Sequence, residues 1–150
     1  MAVKICADSF EPWQEVQQYR NSAKKMAGKS GATAIFIGMM RDVNEGDAVK
    51  GMMLEHYPGM TEKHLEKIIA QAQQQWQILD ALVVHRTGTV LPDEPIVLVA
   101  VWAVHRGDAY DANRYIMEAL KSTAPFWKKE LLKSDAERWL KKNTDGYASS

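Results

Sequence analysis

Several basic or titratable side chains stand where predicted secondary-structure elements end, which is where sites are usually built. They are Arg41, His105, Arg106, Lys121 and Lys128. A site made of arginine, lysine and histidine without acids suits a phosphate or another anion. An arginine binds two oxygens with its fork, while a lysine supplies a point charge that can also release a proton. The residues alone therefore predict an anion-binding site and leave its reaction open.

Each of these side chains also has a purely structural interpretation. Lys121 in a last helical turn is favoured by the helix dipole, and Arg41 beside Asp42 fits a weak surface ion pair. His105 after an apolar strand fits a packed or capping role, Lys128-Lys129 fits a solvated charge pair, and Met39-Met40 fits core packing. Arg41, the His105-Arg106 pair and Lys121 come together only if the two strands that precede them are neighbours, which the sequence does not establish.

Other chemistries lack their usual motifs. The sequence has no nucleophile elbow, no GxxxxGK[ST], no GxGxxG and no HExxH. Its four histidines have no metal-ligand spacing, so we expect neither a metal nor a cofactor. The single cysteine, Cys6, lies in an alternating strand pattern and excludes an internal disulfide.

Length and composition indicate an ordinary globular domain. The chain has 150 residues, of which 46% are hydrophobic and 25% are charged, and its formal net charge is zero. Zero net charge argues against a general nucleic-acid binder. The longest apolar run, residues 96–104, is about half of a membrane span, and no signal peptide is visible. We therefore expect a cytoplasmic protein with no nucleic-acid or membrane partner.

The hydrophobic patterns predict an α+β fold with mostly antiparallel strand pairing. Thr61 is the expected N-cap of one helix, and Asp108 is the expected N-cap of another. Beyond Pro125 we expect an irregular basic tail, within a C-terminal third (residues 105–142) of net charge +3. The predicted strands are at 3–7, 32–38, 49–57, 81–85 and 96–104, and the predicted helices begin at Pro12 and cover 61–76 and 109–120.

Five segments together resemble one known family, the large, catalytic subunit of molybdopterin synthase. They occur in order and at natural spacing over nearly the whole chain. The segments are GATAIFIGMMRD (31–42), LEHYPGMT (54–61), HRTG (85–88), AVHR (103–106) and LKSTAPFWKKE (120–130).

The resemblance implies an α/β-hammerhead fold over residues 1–142. Residues 143–150 are polar and small, so we expect them to form a flexible tail. It also implies a sulfurtransferase of molybdenum cofactor biosynthesis, which converts cyclic pyranopterin monophosphate (precursor Z) into molybdopterin. The sulfur would come from the C-terminal thiocarboxylate of a small ubiquitin-like subunit. Two large subunits would form a central homodimer within a heterotetramer.

The resemblance also assigns site residues. Lys121 and Lys128 fall on the family's catalytic lysines, and His105 and Arg106 are expected to reach the partner protomer's pocket. The substrate-binding positions are Met39, Met40, Arg41, His105, Arg106, Lys121, Lys128, Lys129 and Glu130.

Two positions depart from the family pattern: Met39 stands where many relatives have a lysine, and Asn143 stands where they often have an arginine. Two alternatives to the synthase remain. One is a non-catalytic scaffold that binds a ubiquitin-like partner through the basic C-terminal third. The other is a phosphate-ester hydrolase, for which the sequence shows no water-activating base.

Overall fold

The computed structural model describes residues 1–140 and residue 146, and these residues form three α-helices and nine strands. The predicted tail, 143–150, lies outside the described residues apart from Gly146. In chain order the elements are β1 (Ala2–Cys6), α1 (Pro12–Ser22), a 3-10 turn (Lys24–Met26), β2 (Ala32–Met39), β3 (Val43–Asn44), β4 (Asp47–His56), α2 (Met60–Gln75), β5 (Ile78–Arg86), β6 (Gly88–Val90), β7 (Pro95–Ala103), α3 (Arg106–Thr123), β8 (Phe126–Leu132) and β9 (Glu137–Trp139).

The first sheet has the strand order β1-β5-β7-β2, in which β1 pairs with β5 in parallel and the other pairs are antiparallel. Its two central strands are apolar along almost their whole length because both of their faces are covered. Helices α2 and α3 contribute to the larger core on one face, and α1 packs on the other face beside Trp102.

A buried asparagine joins α3 to this sheet. The Nδ2 atom of Asn113 donates to the carbonyl oxygen of Ala34 in β2 at 3.0 Å and to that of Val99 in β7 at 2.9 Å. Because both hydrogen bonds lie in the core, they fix the position of α3 along the two strands.

The second sheet is antiparallel, with the order β3-β4-β8-β9, and β6 also pairs with β4. Residues of β4, β6 and β8 pack with α2 and α3 in the larger core. The prediction of an α+β fold with mostly antiparallel pairing is therefore confirmed. None of the helices in the described part of the chain has the length and apolarity needed to cross a bilayer.

Both predicted helix caps are wrong, the first by two residues and the second by three. Helix α2 begins at Met60 after Gly59, whose positive φ of 84° ends the preceding turn, and the Thr61 hydroxyl instead donates to the carbonyl oxygen of Pro125 at 3.3 Å. Helix α3 has His105 as its N-cap, so Asp108 lies inside the first turn, where its charge still favours the helix dipole.

The prediction of an irregular basic tail is also wrong. Residues 126–132 form β8, which pairs with β4 over most of its length, and residues 137–139 return as β9. Period-2 hydrophobicity could not reveal β8, because its inward-facing residues include the charged Lys128 and Glu130. The charges that made the segment look like a solvated tail belong to the interior of a site.

Candidate active site

A cavity of about 130 Å³ lies where the two sheets meet at the C-terminal end of α3. Residues that follow β2, the β3–β4 hairpin, the last turns of α3 and the inner face of β8 form its walls. The residues that line it are Met39, Met40, Arg41, Val43, Asn44, Met52, Ile96, Lys121, Lys128, Glu130 and Leu140.

Three cations of this cavity come from three different elements. Arg41 follows the end of β2, Lys121 lies in the last turn of α3, and Lys128 lies on β8. Pro125 prevents the helix from continuing, and the chain reverses direction there to enter β8. The two lysines, seven residues apart, therefore face the same cavity. Their side-chain amines share a hydrogen bond.

The Lys128 ammonium is strongly perturbed. Burial is the main reason that its pKa falls to about 7, and the charge of Lys121 and the hydrogen bond with Lys121 lower it further. Glu130 acts in the opposite direction but does not offset these effects. Near neutral pH this amine is therefore close to half protonated, so it can either donate or accept a proton.

The Glu130 carboxylate, itself buried, is bound by two neighbours on the second sheet. Its Oε2 atom accepts from Asn44 Nδ2 at 2.9 Å, and its Oε1 atom accepts from Arg138 Nε at 3.0 Å and from Nη2 at 2.7 Å. Arg138 was not among the residues predicted for the site. The chain turns tightly at Asp135, and this turn places Arg138 opposite Glu130 in the β8–β9 hairpin. Recognising that turn would have indicated that Arg138 belongs to the site.

His85 lies in the interior beside this site and is neutral. Its ring stacks on Phe126 with a centroid distance of 3.8 Å, and Nδ1 donates to the carbonyl oxygen of Arg86 at 2.8 Å. Burial is the main reason that the pKa of His85 falls to about 3, and the charges of Lys128 and Lys121 lower it further. Because a carbonyl can only accept, Nδ1 holds the proton of the neutral ring. These contacts indicate a structural role for His85.

His105 and Arg106 do not join Arg41 within one chain. The strands that they follow, β2 and β7, are neighbours as the convergence required, but they run antiparallel. The ends of antiparallel neighbours point in opposite directions, so His105 lies near Ala32, at the opposite end of β2 from Arg41. Eight strand residues separate the two ends by about 23 Å.

Among the remaining predicted positions, neighbouring residues point to opposite sides, so that only some of them face the cavity. Met40 is buried, whereas Met39 is exposed at the rim of the cavity. Lys129 points to the opposite face of β8 from Lys128, where its Nζ atom lies 3.5 Å from Glu137 and 5.1 Å from the ring centroid of Trp139. Within the described residues, Lys129 does not line the cavity. The parts of the chain that the structure describes also hold no group of three or more metal-ligating side chains.

Fold and site together define a class: an α+β protein with a cavity lined by one arginine and two lysines, one of which has its pKa lowered to about 7. Comparison with known proteins gives the family. The family model described as "MoaE protein" matches residues 9–123. The chain belongs to the MoaE family of molybdopterin synthase catalytic subunits, and so is an enzyme subunit of molybdenum cofactor biosynthesis.

Two curated relatives illustrate the match. A molybdopterin synthase catalytic subunit of Ralstonia nicotianae is 56% identical over 110 residues, which cover 73% of this chain and 62% of the relative. The one from Pseudomonas aeruginosa is 44% identical over 140 residues, which cover 93% of this chain and 90% of the relative.

Solved structures have the same fold. Molybdopterin synthase from Staphylococcus aureus matches with a TM-score of 0.81 and 31% identity, covering 91% of this chain and 95% of that chain. A complex of subunits 1 and 2 of molybdopterin-converting factor from Helicobacter pylori matches with a TM-score of 0.76 and 22% identity, covering 93% and 90%. These matches agree with the fold class predicted from the sequence.

Proposed function

We propose that this chain converts cyclic pyranopterin monophosphate into molybdopterin, with sulfur delivered as the C-terminal thiocarboxylate of a small ubiquitin-like subunit. The observation that supports this most directly is the single cavity that Arg41, Lys121 and Lys128 share. A cavity with three cations fits a cyclic phosphate, and a nucleophile that arrives on another protein is consistent with a site of this composition. The reaction takes place in the cytoplasm.

Within this reaction, Arg41 and Lys128 hold the anionic pterin, and the two lysines move protons. Lys121 is the general acid and base at the carbon that receives sulfur, and proton transfer of this kind typically contributes 10²–10⁴-fold. Lys128, with a pKa of about 7, exchanges a proton with Lys121 through the hydrogen bond between them. No cofactor has a role in this scheme.

A second copy of the chain completes the site. Strand β2 is an edge of the first sheet, and its apolar side chains Ile35, Phe36 and Met39 are exposed. A two-fold axis beside this edge would place the Ala32 end of one β2 next to the Met39 end of the other. His105 and Arg106 of one protomer would then lie beside the lysine cavity of its partner. Within one chain, the separation of about 23 Å keeps them away from that cavity.

The small subunit inserts its C-terminus into the cavity from the solvent side. An extended C-terminus fits a narrow cleft, because backbone hydrogen bonds and a few pockets can hold it without a large interface. The cations of the cavity attract its terminal thiocarboxylate. One small subunit for each large subunit of the central homodimer gives a heterotetramer.

Turnover of the purified chain tests the catalytic proposal. Cyclic pyranopterin monophosphate and thiocarboxylated small subunit are supplied, and molybdopterin is measured for the wild type, Lys121→Ala, Lys128→Ala and the control Lys133→Ala. We expect no turnover with Lys121→Ala, and weaker substrate binding with Lys128→Ala by about 1.5–3 kcal/mol. The exposed Lys133 should be neutral to change. Full activity of folded Lys121→Ala would overturn the assignment, and small-subunit binding without turnover by the wild type would favour the scaffold.

Hybrid dimers test the shared site. When Lys121→Ala and Arg106→Ala protomers are mixed, a site that takes Arg106 from the partner is intact once in each hybrid, so activity should reappear at about half the wild-type level per hybrid. A site built within one chain would give an inactive mixture, which would refute the proposal.

A further inference from the structure

The guanidinium of Arg138 joins the floor of the cavity to the hairpin at its edge. Besides the two hydrogen bonds to Glu130, its Nη1 atom donates to Asp47 Oδ2 at 2.9 Å and lies 3.5 Å from Glu45 Oε2. Its Nη2 atom also donates to the carbonyl oxygen of Asn44 at 3.4 Å. One side chain from β9 therefore contacts β8, β3 and the start of β4.

The backbone sets this arrangement. Glu130 and Arg138 are directly opposite each other in the β8–β9 pair, and Asn44 is opposite Asp47 in the β3–β4 pair. Two N–H groups of the rigid arginine fork donate to the same carboxylate oxygen, Glu130 Oε1, an arrangement that the single nitrogen of a lysine cannot reproduce. Among the described residues, the hydrogen bonds to the Glu130 carboxylate come from Asn44 and Arg138 alone.

We propose that Arg138 is a positioning residue of the active site: it keeps the Glu130 carboxylate engaged on the second sheet, away from the Lys128 ammonium, and fixes Asn44 at the cavity wall. Lys128 and Glu130 lie two residues apart on the same face of β8, so they are close enough to interact electrostatically. Without Arg138, the Glu130 carboxylate can turn toward Lys128 on the same face of β8.

The charges around Lys128 give the expected sign. Lys121 on α3, Arg41 after β2 and the neutral His85 on β5 surround it, and Glu130 on its own strand is the opposing charge. Removing Arg138 deletes a nearby positive charge and frees the carboxylate, and both changes favour protonated Lys128. Removing the Glu130 charge has the opposite effect. The inference rests on the proposed role of Lys128, but its geometry does not depend on turnover.

A direct titration of Lys128 tests the proposal. The chain is labelled with ¹³C at lysine Cε, and Lys128→Arg identifies the signal. We expect Arg138→Met to raise the Lys128 pKa by about one unit, in line with the usual effect of a carboxylate within 4–6 Å. At pH 7.5 the neutral fraction of Lys128 would then fall about threefold. Glu130→Gln should lower the pKa, and Arg138→Lys should give an intermediate value.

Opposite signs distinguish this role from a structural one. If Arg138→Met and Glu130→Gln both moved the Lys128 pKa toward the ordinary lysine value, the two residues would only maintain the fold, and the proposal would be wrong. An unchanged pKa in Arg138→Met would also overturn it. Arg114→Met, an exposed change on α3, is the matched control and should leave the titration unaltered. Because the readout is an NMR titration, it stands even if Lys128 proves dispensable for turnover.

Discussion

Gly31, the residue directly before β2, should tolerate substitution poorly. A Cβ atom built on Gly31 would lie 2.2 Å from the carbonyl oxygen of Val104. Real Cβ atoms do not approach closer than 3.0 Å, so Gly31→Ala must separate the two backbones by about 0.8 Å. The obstacle is backbone rather than a flexible side chain, and the Gly31 N–H also donates to Ala103 at 2.9 Å.

The expected cost of Gly31→Ala follows from this geometry. Forcing one methyl group into a filled space typically costs about 1–3 kcal/mol, and a strained strand hydrogen bond adds up to about 1 kcal/mol. We therefore expect a loss of about 2–3 kcal/mol in the free energy of unfolding. Because Val104 directly precedes His105, the shift should also lower kcat/KM, although no group proposed to bind substrate has changed.

Urea denaturation at one fixed protein concentration measures the loss, since self-association would make the midpoint depend on concentration. The control is Gly107→Ala, whose Cβ would meet nothing within 4 Å in the first turn of α3. It should stabilise the chain by up to about 1 kcal/mol, because alanine favours a helix. A loss below about 0.5 kcal/mol in Gly31→Ala would refute the close contact as a structural constraint.

Two further predictions concern buried polar groups. Asn113→Ala should reduce the free energy of unfolding by about 2–3 kcal/mol, because it removes two buried hydrogen bonds that join α3 to the first sheet; a loss below 1 kcal/mol in a urea titration would contradict this. His85 has a folded pKa of about 3, below its unfolded value of 6.5, so the unfolded chain binds the extra proton between these values. The wild type should therefore lose up to about 1.4 kcal/mol per pH unit on acidification below pH 6.5. His85→Phe, which can still stack on Phe126, should lose less over that window, and parallel pH dependences would disprove the assignment.

Most of the fold could be predicted because the core elements have simple patterns. Strand β7 is a continuous apolar run, and α2 and α3 have apolar residues at helical spacing, so their presence did not depend on tertiary context. Helix starts were less predictable. The N-cap of α2 lies two residues earlier than predicted, because Gly59 adopts a positive φ that allows it to take this position. The residue types alone do not specify that conformation.

The candidate site was less predictable from residues alone, for two physical reasons. Strand β8 has charged side chains on its inward face, so hydrophobic periodicity does not reveal it. A sequence motif also does not specify the relative direction of two strands. Arg41 and His105 both follow strands, and the antiparallel pairing of β2 and β7 places them at opposite ends of the pair. The family resemblance identified both as substrate positions, which stays a prediction. The structure adds that about 23 Å separates them within one chain.

The site lies between the buried first sheet and the more exposed strands of the second sheet. We therefore expect mutations on its two sides to differ in their effects on stability and on the Lys128 pKa. Lys121 extends from α3, which packs on the buried strands of the first sheet, whereas Glu130 and Arg138 belong to the second sheet, whose short strands β3 and β9 are largely exposed. Local opening costs least where few apolar groups are buried. Variants of the β7 core should therefore lower the free energy of unfolding and leave the cavity's chemistry intact in the folded fraction. Variants of the Arg138 network should instead change the Lys128 pKa, because they alter the charges that face that ammonium.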